Sequence, residues 1–179
     1  MSFVQHTVES APAGSRRFMT VTADRLGYLP AAIGLLAESP HLLEGFLKLS
    51  ALFETTSLAQ VEREVVIMTM ATRNDCHICI AMHTRKLTDI DAEPELIAAL
   101  REDRALADPH LDALRRFVLE LLASRGAPSD ESLRDFLGAG YTTQNALEVV
   151  LGIGTYTMST FANRLTKAPL DDQLALFAA

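Results

Sequence analysis

Hydrophobic residues recur every three to four positions along most of the chain after residue 29, which is the spacing of one face of an α-helix. Residues 61–73 differ, because from Val65 onward the segment is apolar on every side, which predicts a buried central helix. A second long apolar segment covers residues 143–165 and predicts another helix. There is no sustained alternation of polar and apolar residues and no hairpin signal, so the predicted fold class is all-α.

Capping residues and helix breakers mark the ends of several predicted helices. Ser39 followed by Pro40 ends one helix and starts the next. Asn74 marks a break, after which Asp75 is expected to be the N-cap of the helix that carries both cysteines. Residues 1–20 have a mixed pattern, and we expect an extended N-terminal arm along the surface or over a neighbouring subunit.

Composition limits the class of protein. The length suits a single domain over residues 1–179 with its own core. Hydrophobic residues make up 49% of the chain and charged residues 22%, which suggests that some apolar surface is buried between the subunits of a homo-oligomer.

A net charge of −7 repels phosphate backbones and anionic lipids, so we predict neither nucleic acid nor membrane as a partner. We recognise no signal peptide or transmembrane segment, which favours a cytoplasmic location.

Both cysteines lie in the ten residues NDCHICIAMH, and a histidine follows the second one four residues later. On a helix, Cys76, Cys79 and His83 occupy positions i, i+3 and i+7, so they form one stripe. Cα atoms three residues apart on a helix lie about 5 Å from each other, within the range that a disulfide bridges. In a cytoplasmic protein, such a pair favours redox chemistry or metal binding over a structural disulfide.

The same stretch contains groups that can activate a thiol. Cys76 is near the start of its helix, where the positive end of the helix dipole lowers the pKa of a thiol. His83 lies one turn from Cys79, and a neutral imidazole there can accept the thiol proton. If the chain reverses just before the cysteines, Glu64 lies roughly level with His83 and can orient its ring. The same arithmetic admits Glu62, so spacing alone leaves both carboxylates open.

Three interpretations follow from these residues alone. In the first, a thiolate attacks a peroxide, and the neighbouring thiol forms a disulfide with the resulting sulfenic acid. The second is a structural zinc site, with a further ligand from His77 or from a distant residue such as His41 or His110. The third is a pair of small buried cysteines without chemistry. Covalent haem is excluded, because Ile80 stands where the CxxCH motif requires histidine.

The spacing of the candidate residues resembles that of a known family. Glu64, eleven further residues and then CxxCxxxH over residues 76–83 resemble the alkylhydroperoxidase D-like branch of the carboxymuconolactone decarboxylase superfamily. Residues 27–30 and 163–171 are similar to the corresponding stretches of its peroxidase-related members. The resemblance covers roughly residues 25–172.

The resemblance implies an all-α alkylhydroperoxidase D-like fold in a homo-oligomer, commonly a trimer or hexamer. It implies a thiol peroxidase that reduces organic hydroperoxides and depends on a dithiol reductant protein or a small thiol. By resemblance, Cys79 attacks the peroxide, Cys76 is the resolving thiol, and Glu64 with His83 moves the proton, which favours Glu64 over Glu62. We predict no cofactor and no metal. The alternatives are a thiol-disulfide oxidoreductase without peroxidase activity and a zinc-stabilised, non-catalytic helical oligomer.

Two further sequence features relate to this family. Residues 64–67 (EVVI) resemble residues 148–151 (EVVL), which agrees with the two related helical units found in many members. Ile78 stands directly before the second cysteine, where many relatives carry an aromatic residue or a histidine. Decarboxylation of a lactone is not predicted, because the decarboxylase branch lacks the cysteine pair.

Overall fold

The computed structural model describes residues 3–178, and residues 1, 2 and 179 lie outside the described part. The described residues form helices and turns without a β-strand, so the predicted all-α class is confirmed. None of these helices is long and apolar enough to cross a membrane. The elements found in residues 3–178 are α1 (Ala13–Leu26), α2 (Ala31–Leu36), α3 (Pro40–Phe53), α4 (Gln60–Arg73), α5 (His77–Asp89), α6 (Pro94–Arg101), α7 (Pro109–Ala123), α8 (Asp130–Gly138), α9 (Thr143–Thr166) and a 3₁₀ helix (Asp172–Phe177).

The N-terminal segment is less extended than we predicted. Residues 3–12 contain no helix, but α1 begins at Ala13, so the extended arm predicted for residues 1–20 is wrong from Ala13 onward. The first two residues of that prediction lie outside the described part. The Ser15 hydroxyl donates a hydrogen bond to the Ala37 carbonyl over 2.7 Å. One face of α1 therefore packs against the rest of the protein, and such packing usually contributes more to the stability of a helix than its intrinsic propensity does. The buried residues of that face are Ser15, Met19 and Thr22.

α4 is the centre of the core. Residues 64–71 are all buried, which confirms the predicted central helix. The helix packs against α5, α7 and α9, so every side of it meets another element. Met68 and Met70 are fully enclosed. Each such side chain contributes about 1.5–3 kcal/mol of hydrophobic stabilisation, so this helix fixes the positions of its neighbours.

α9 packs closely against side chains of α3 and α4 at Gly152. It was predicted over residues 143–165 and is observed over Thr143–Thr166. A Cβ atom added at Gly152 would lie 2.8 Å from two ring carbons of Phe53 and 3.0 Å from Cγ1 of Val66. Because glycine has no side chain, Gly152 lets the backbone of α9 lie close to Phe53 and Val66 in the core.

Gly152→Ala should destabilise the protein, because the added methyl group overlaps the Phe53 ring in a closely packed core. We expect the free energy of unfolding to fall by about 1–3 kcal/mol. Gly154→Ala is the matched control on the same helix, because its added Cβ meets nothing within 4 Å. It should raise stability by up to about 1 kcal/mol through helix propensity. Urea denaturation measures both variants, and a wild-type midpoint for Gly152→Ala would contradict the packing.

Candidate active site

A tight reversal between α4 and α5 places the cysteine pair. Asp75 adopts the left-handed conformation, with φ of 51°, directly after the end of α4. The N–H groups of Asp75 and Cys76 donate to the carbonyls of Thr72 and Ala71, each over 2.9 Å. This is the Schellman arrangement of a helix C-terminus. Cys76 is then the N-cap residue of α5. Asp75, which we predicted as that N-cap, is instead the residue that ends α4.

Side chains of α9 hold this reversal in place. The Arg164 guanidinium donates to the carbonyl of Asn74 over 2.7 Å and to that of Asp75 over 2.8 Å. It also donates to the Asp75 carboxylate over 2.7 Å. The Asn74 side-chain amide donates to the Thr160 hydroxyl over 2.9 Å. The start of α5 is therefore fixed against one face of α9.

The two cysteines face each other, as their spacing predicted. Their Sγ atoms lie 2.8 Å apart, and both thiols are free. Cys76 is 1% exposed and Cys79 is 5% exposed. The pair is therefore a buried dithiol in direct contact.

The two thiols have opposite pKa shifts. A hydrogen bond from Cys79 stabilises the Cys76 thiolate, and the N–H groups of Cys79 and Ile78 at the start of α5 add to this effect. They lower the pKa of Cys76 to about 7, although burial opposes the shift. The hydrogen bond to Cys76 and burial both raise the pKa of Cys79 well above its usual value. Cys76 is thus the acidic thiol, and Cys79 keeps its proton near neutral pH.

Two polar side chains of α9 complete the surroundings of the sulfur atoms. Asn163 Nδ2 donates to Cys79 Sγ over 3.4 Å and to Cys76 Sγ over 3.8 Å. Ser159 Oγ lies 3.9 Å from Cys79 Sγ. The Asn163 Oδ1 atom is buried and has no hydrogen-bond partner among the described residues. Sequence spacing missed both residues, because they are 80 to 87 positions from the cysteines. The one signal was that Asn163 begins a stretch similar to peroxidase-related proteins.

Glu64 and His83 form a second buried pair. Glu64 Oε2 lies 2.6 Å from His83 Nδ1, and these residues are 4% and 5% exposed. Burial alone would raise the pKa of Glu64, but His83 and the Lys86 ammonium, 3.6 Å from Oε1, lower it below its usual value. The carboxylate accepts the Nδ1 proton, which leaves Nε2 of His83 as the nitrogen able to take up another.

Glu62, which spacing had left as an alternative to Glu64, is engaged elsewhere. Its carboxylate accepts from the Ala59 N–H over 2.6 Å and lies 2.8 Å from Nε2 of His110. The other ring nitrogen of His110 lies 2.8 Å from the Ala139 carbonyl.

Within residues 3–178, no three His, Cys, Asp or Glu side chains form a group that could hold a metal ion.

A cavity of about 230 Å³ opens beside the cysteine pair. Cys79 and His83 line it, whereas Cys76 borders a separate depression next to His77 and Lys167. Tyr156 also lines the cavity, with its ring edge-on to His83 and the centroids 5.6 Å apart. The cavity therefore brings one thiol and one imidazole to the same apolar space. Apolar side chains in its wall include Ile33, Leu36, Phe46, Leu47, Ile78 and Met82.

Known proteins share this fold at low sequence identity. Residues 40–120 match the model of the carboxymuconolactone decarboxylase family. A structure described as an alkylhydroperoxidase AhpD core, an uncharacterized peroxidase-related protein from Ralstonia eutropha JMP134, is 18% identical, with a TM-score of 0.84 over 97% of this chain and 94% of that one. A peroxidase-related protein from Silicibacter sp. TM1040 is 13% identical, with a TM-score of 0.80 over 97% and 92% of the chains.

A third similar structure is that of a protein named for a different activity. The debrominase Bmp8, in complex with 2,3,4-tribromopyrrole, is 14% identical, with a TM-score of 0.80 over 99% of this chain and 95% of that one. A comparison with curated proteins found no match. The family match and the shared fold confirm the predicted resemblance to the alkylhydroperoxidase D-like branch of the carboxymuconolactone decarboxylase superfamily. The fold is the alkylhydroperoxidase D-like helical fold.

Asn163→Ala should raise the pKa at which the cysteine pair first ionises, because the thiolate loses a donated hydrogen bond. We expect an upward shift of about one unit, since a hydrogen bond to a charged group contributes about 1.5 kcal/mol. Titration of the thiolate ultraviolet absorbance measures the midpoints of the variant and of the wild type, for which we expect a value of about 7. Ser159→Ala is the control and should shift the midpoint less, because its hydroxyl lies near one sulfur only. An unchanged midpoint in Asn163→Ala would refute this role of the amide.

Proposed function

We propose that this chain is a thiol-dependent peroxidase that reduces organic hydroperoxides through the Cys76–Cys79 pair. The observation that supports this most directly is a buried dithiol, with its sulfur atoms 2.8 Å apart. It lies beside an apolar cavity that is lined by both Cys79 and His83. A two-electron oxidation of two adjacent thiols to a disulfide is the chemistry that such a pair performs. The shared fold with peroxidase-related proteins supports the same reaction.

Cys79 is the proposed attacking thiol, because it lines the cavity and Cys76 does not. Its raised pKa means that a base must remove its proton, and His83, oriented by Glu64, is the proposed base. The sulfur attacks the terminal oxygen of the hydroperoxide, and the O–O bond breaks. The proton taken up by His83 then passes to the leaving alkoxide. The products are a sulfenic acid on Cys79 and an alcohol.

Cys76 is the proposed resolving thiol. Its pKa of about 7 supplies a thiolate at neutral pH, in contact with Cys79. The thiolate attacks the sulfenic sulfur, forms the disulfide and expels hydroxide, which is protonated to water. A dithiol reductant protein or a small thiol then returns two electrons and two protons to the pair. The lower pKa of Cys76 thus suits the second step, while the position of Cys79 suits the first.

We also propose that the protein is a homo-oligomer. Four large apolar side chains of α9 are more than half exposed and follow one another at intervals of three, four or eleven residues, which places them on one side of the helix. Such a stripe on a soluble protein is typical of an interface between subunits. Its members are Leu147, Val150, Phe161 and Leu165.

Reductive removal of bromine is a second candidate function, because it also oxidises two thiols to a disulfide. The apolar cavity beside Cys79 is suited to a small ring, and the debrominase Bmp8 has the same fold. In that reaction, the two thiols and a bromoarene would give a disulfide, the arene and hydrogen bromide. Oxidation of the thiols by tribromopyrrole but not by cumene hydroperoxide would favour this candidate over the peroxidase.

Thiol loss after mixing with cumene hydroperoxide tests the proposed division between the cysteines. The wild type should lose two thiols per peroxide, because the pair closes to a disulfide. Cys76→Ser should lose one and accumulate a sulfenic acid that dimedone traps. Cys79→Ser should react more than about a hundredfold more slowly, because the thiol that lines the cavity is missing. The peroxidase proposal fails if Cys79→Ser consumes peroxide at the wild-type rate.

His83→Gln should slow the first step about 10²- to 10⁴-fold, because the base that accepts the Cys79 proton is lost. Glu64→Gln should slow it about 10- to 100-fold, because the imidazole loses the carboxylate that orients it. Glu62→Gln is the matched control on α4 and should react at nearly the wild-type rate. Stopped-flow kinetics at fixed pH measures all three variants. Equal rates for Glu64→Gln and Glu62→Gln would contradict the proposed relay.

A further inference from the structure

The edge of the cavity beside Cys79 differs in charge from the rest of the molecule. The whole chain has a net charge of −7. The cavity, however, is bordered by Arg25 from α1 and by Arg85 and Lys86 from α5, against the single carboxylate of Asp89. The lining itself therefore has more basic than acidic side chains, whereas the chain as a whole has more acidic ones.

The basic groups and the apolar groups occupy different depths. The side chains of Arg85 and Lys86 are 45% and 42% exposed, and Arg25 is also exposed. Leu36 and Ile78 in the wall are only 3% and 2% exposed. A ligand that enters the cavity would thus place an apolar body inside and any charged end at the solvent edge.

The basic side chains are not equally available to a ligand. Lys86 lies 3.0 Å from a Glu54 oxygen and 3.6 Å from a Glu64 oxygen, so two carboxylates already balance its charge. Arg85 lies 3.6 Å from Asp89 in an exposed pair, which is weak in water. Arg25 has no ion pair among the described residues. Its guanidinium is the group at this edge that is best placed to meet an anion.

We propose that the hydroperoxide this protein prefers carries a carboxylate, which lies near Arg25 while the apolar body fills the cavity and the peroxide group reaches Cys79. This inference rests on the proposed function. A cavity of about 230 Å³ is slightly smaller than the range of about 300–1,000 Å³ that is usual for small-molecule sites. The apolar body is therefore a single substituted ring or a short chain.

A carboxylated cumene hydroperoxide and its methyl ester form a matched pair of probes, because they differ only in charge at one end. We expect the wild type to prefer the acid by about two- to fivefold in kcat/KM at low salt, as for an exposed ion pair. The preference should shrink as added salt screens the charges. Arg25→Gln should lower the ratio of acid to ester. Arg17→Gln removes the same charge from α1 outside the cavity lining and should leave the ratio unchanged.

Binding of para-isopropylbenzoate to the Cys79→Ser variant, measured by calorimetry, separates this inference from the proposed reaction. The benzoate should bind more tightly than para-isopropylbenzyl alcohol, and Arg25→Gln should remove the difference. If the wild type reduces acid and ester equally well, the inferred substrate class is wrong and the peroxidase remains. If neither peroxide reacts but the benzoate binds through Arg25, the peroxidase proposal is wrong and the anion site remains. If the benzoate also binds no better than the alcohol, the anion site is overturned as well.

Discussion

The site depends above all on the reversal of the chain at Asp75. A left-handed conformation costs an L-residue about 1–2 kcal/mol, although Asp tolerates it better than most. Two Schellman hydrogen bonds and three hydrogen bonds from Arg164 offset this cost. Because the turn is so short, Cys76 both closes the end of α4 and opens α5. The same reversal brings His83 back beside Glu64.

Burial makes every polar group at this site depend on a partner. A thiolate and a carboxylate that lose water are strongly disfavoured unless hydrogen bonds or opposite charges replace it. Cys76 has the Cys79 thiol, the amide of Asn163 and the N–H groups at the start of α5. Glu64 has His83 and Lys86. The two groups can therefore remain charged in an apolar core, and Cys79 and His83, which contact them, line the cavity.

Much of the architecture followed from local patterns in the sequence. A segment that is apolar on every side predicted α4 as a central helix, and helical spacing placed Cys76 and Cys79 together. Two predictions failed where local patterns are ambiguous. Asp suits an N-cap as well as a left-handed helix end, so the sequence could not assign Asp75. α1 has a weak pattern, and its helix is stabilised by contacts such as that of Ser15 with Ala37.

Sequence spacing by itself determined the fold class, the central helix and the stripe of Cys76, Cys79 and His83. These features depend on the periodicity of a helix, which acts between near neighbours in the chain. Only the tertiary structure decided that Asn163 reaches both sulfur atoms, that Cys79 rather than Cys76 faces the cavity, and that α1 brings Arg25 to its edge. These contacts join elements far apart in sequence, and the close packing of helices around α4 determines them.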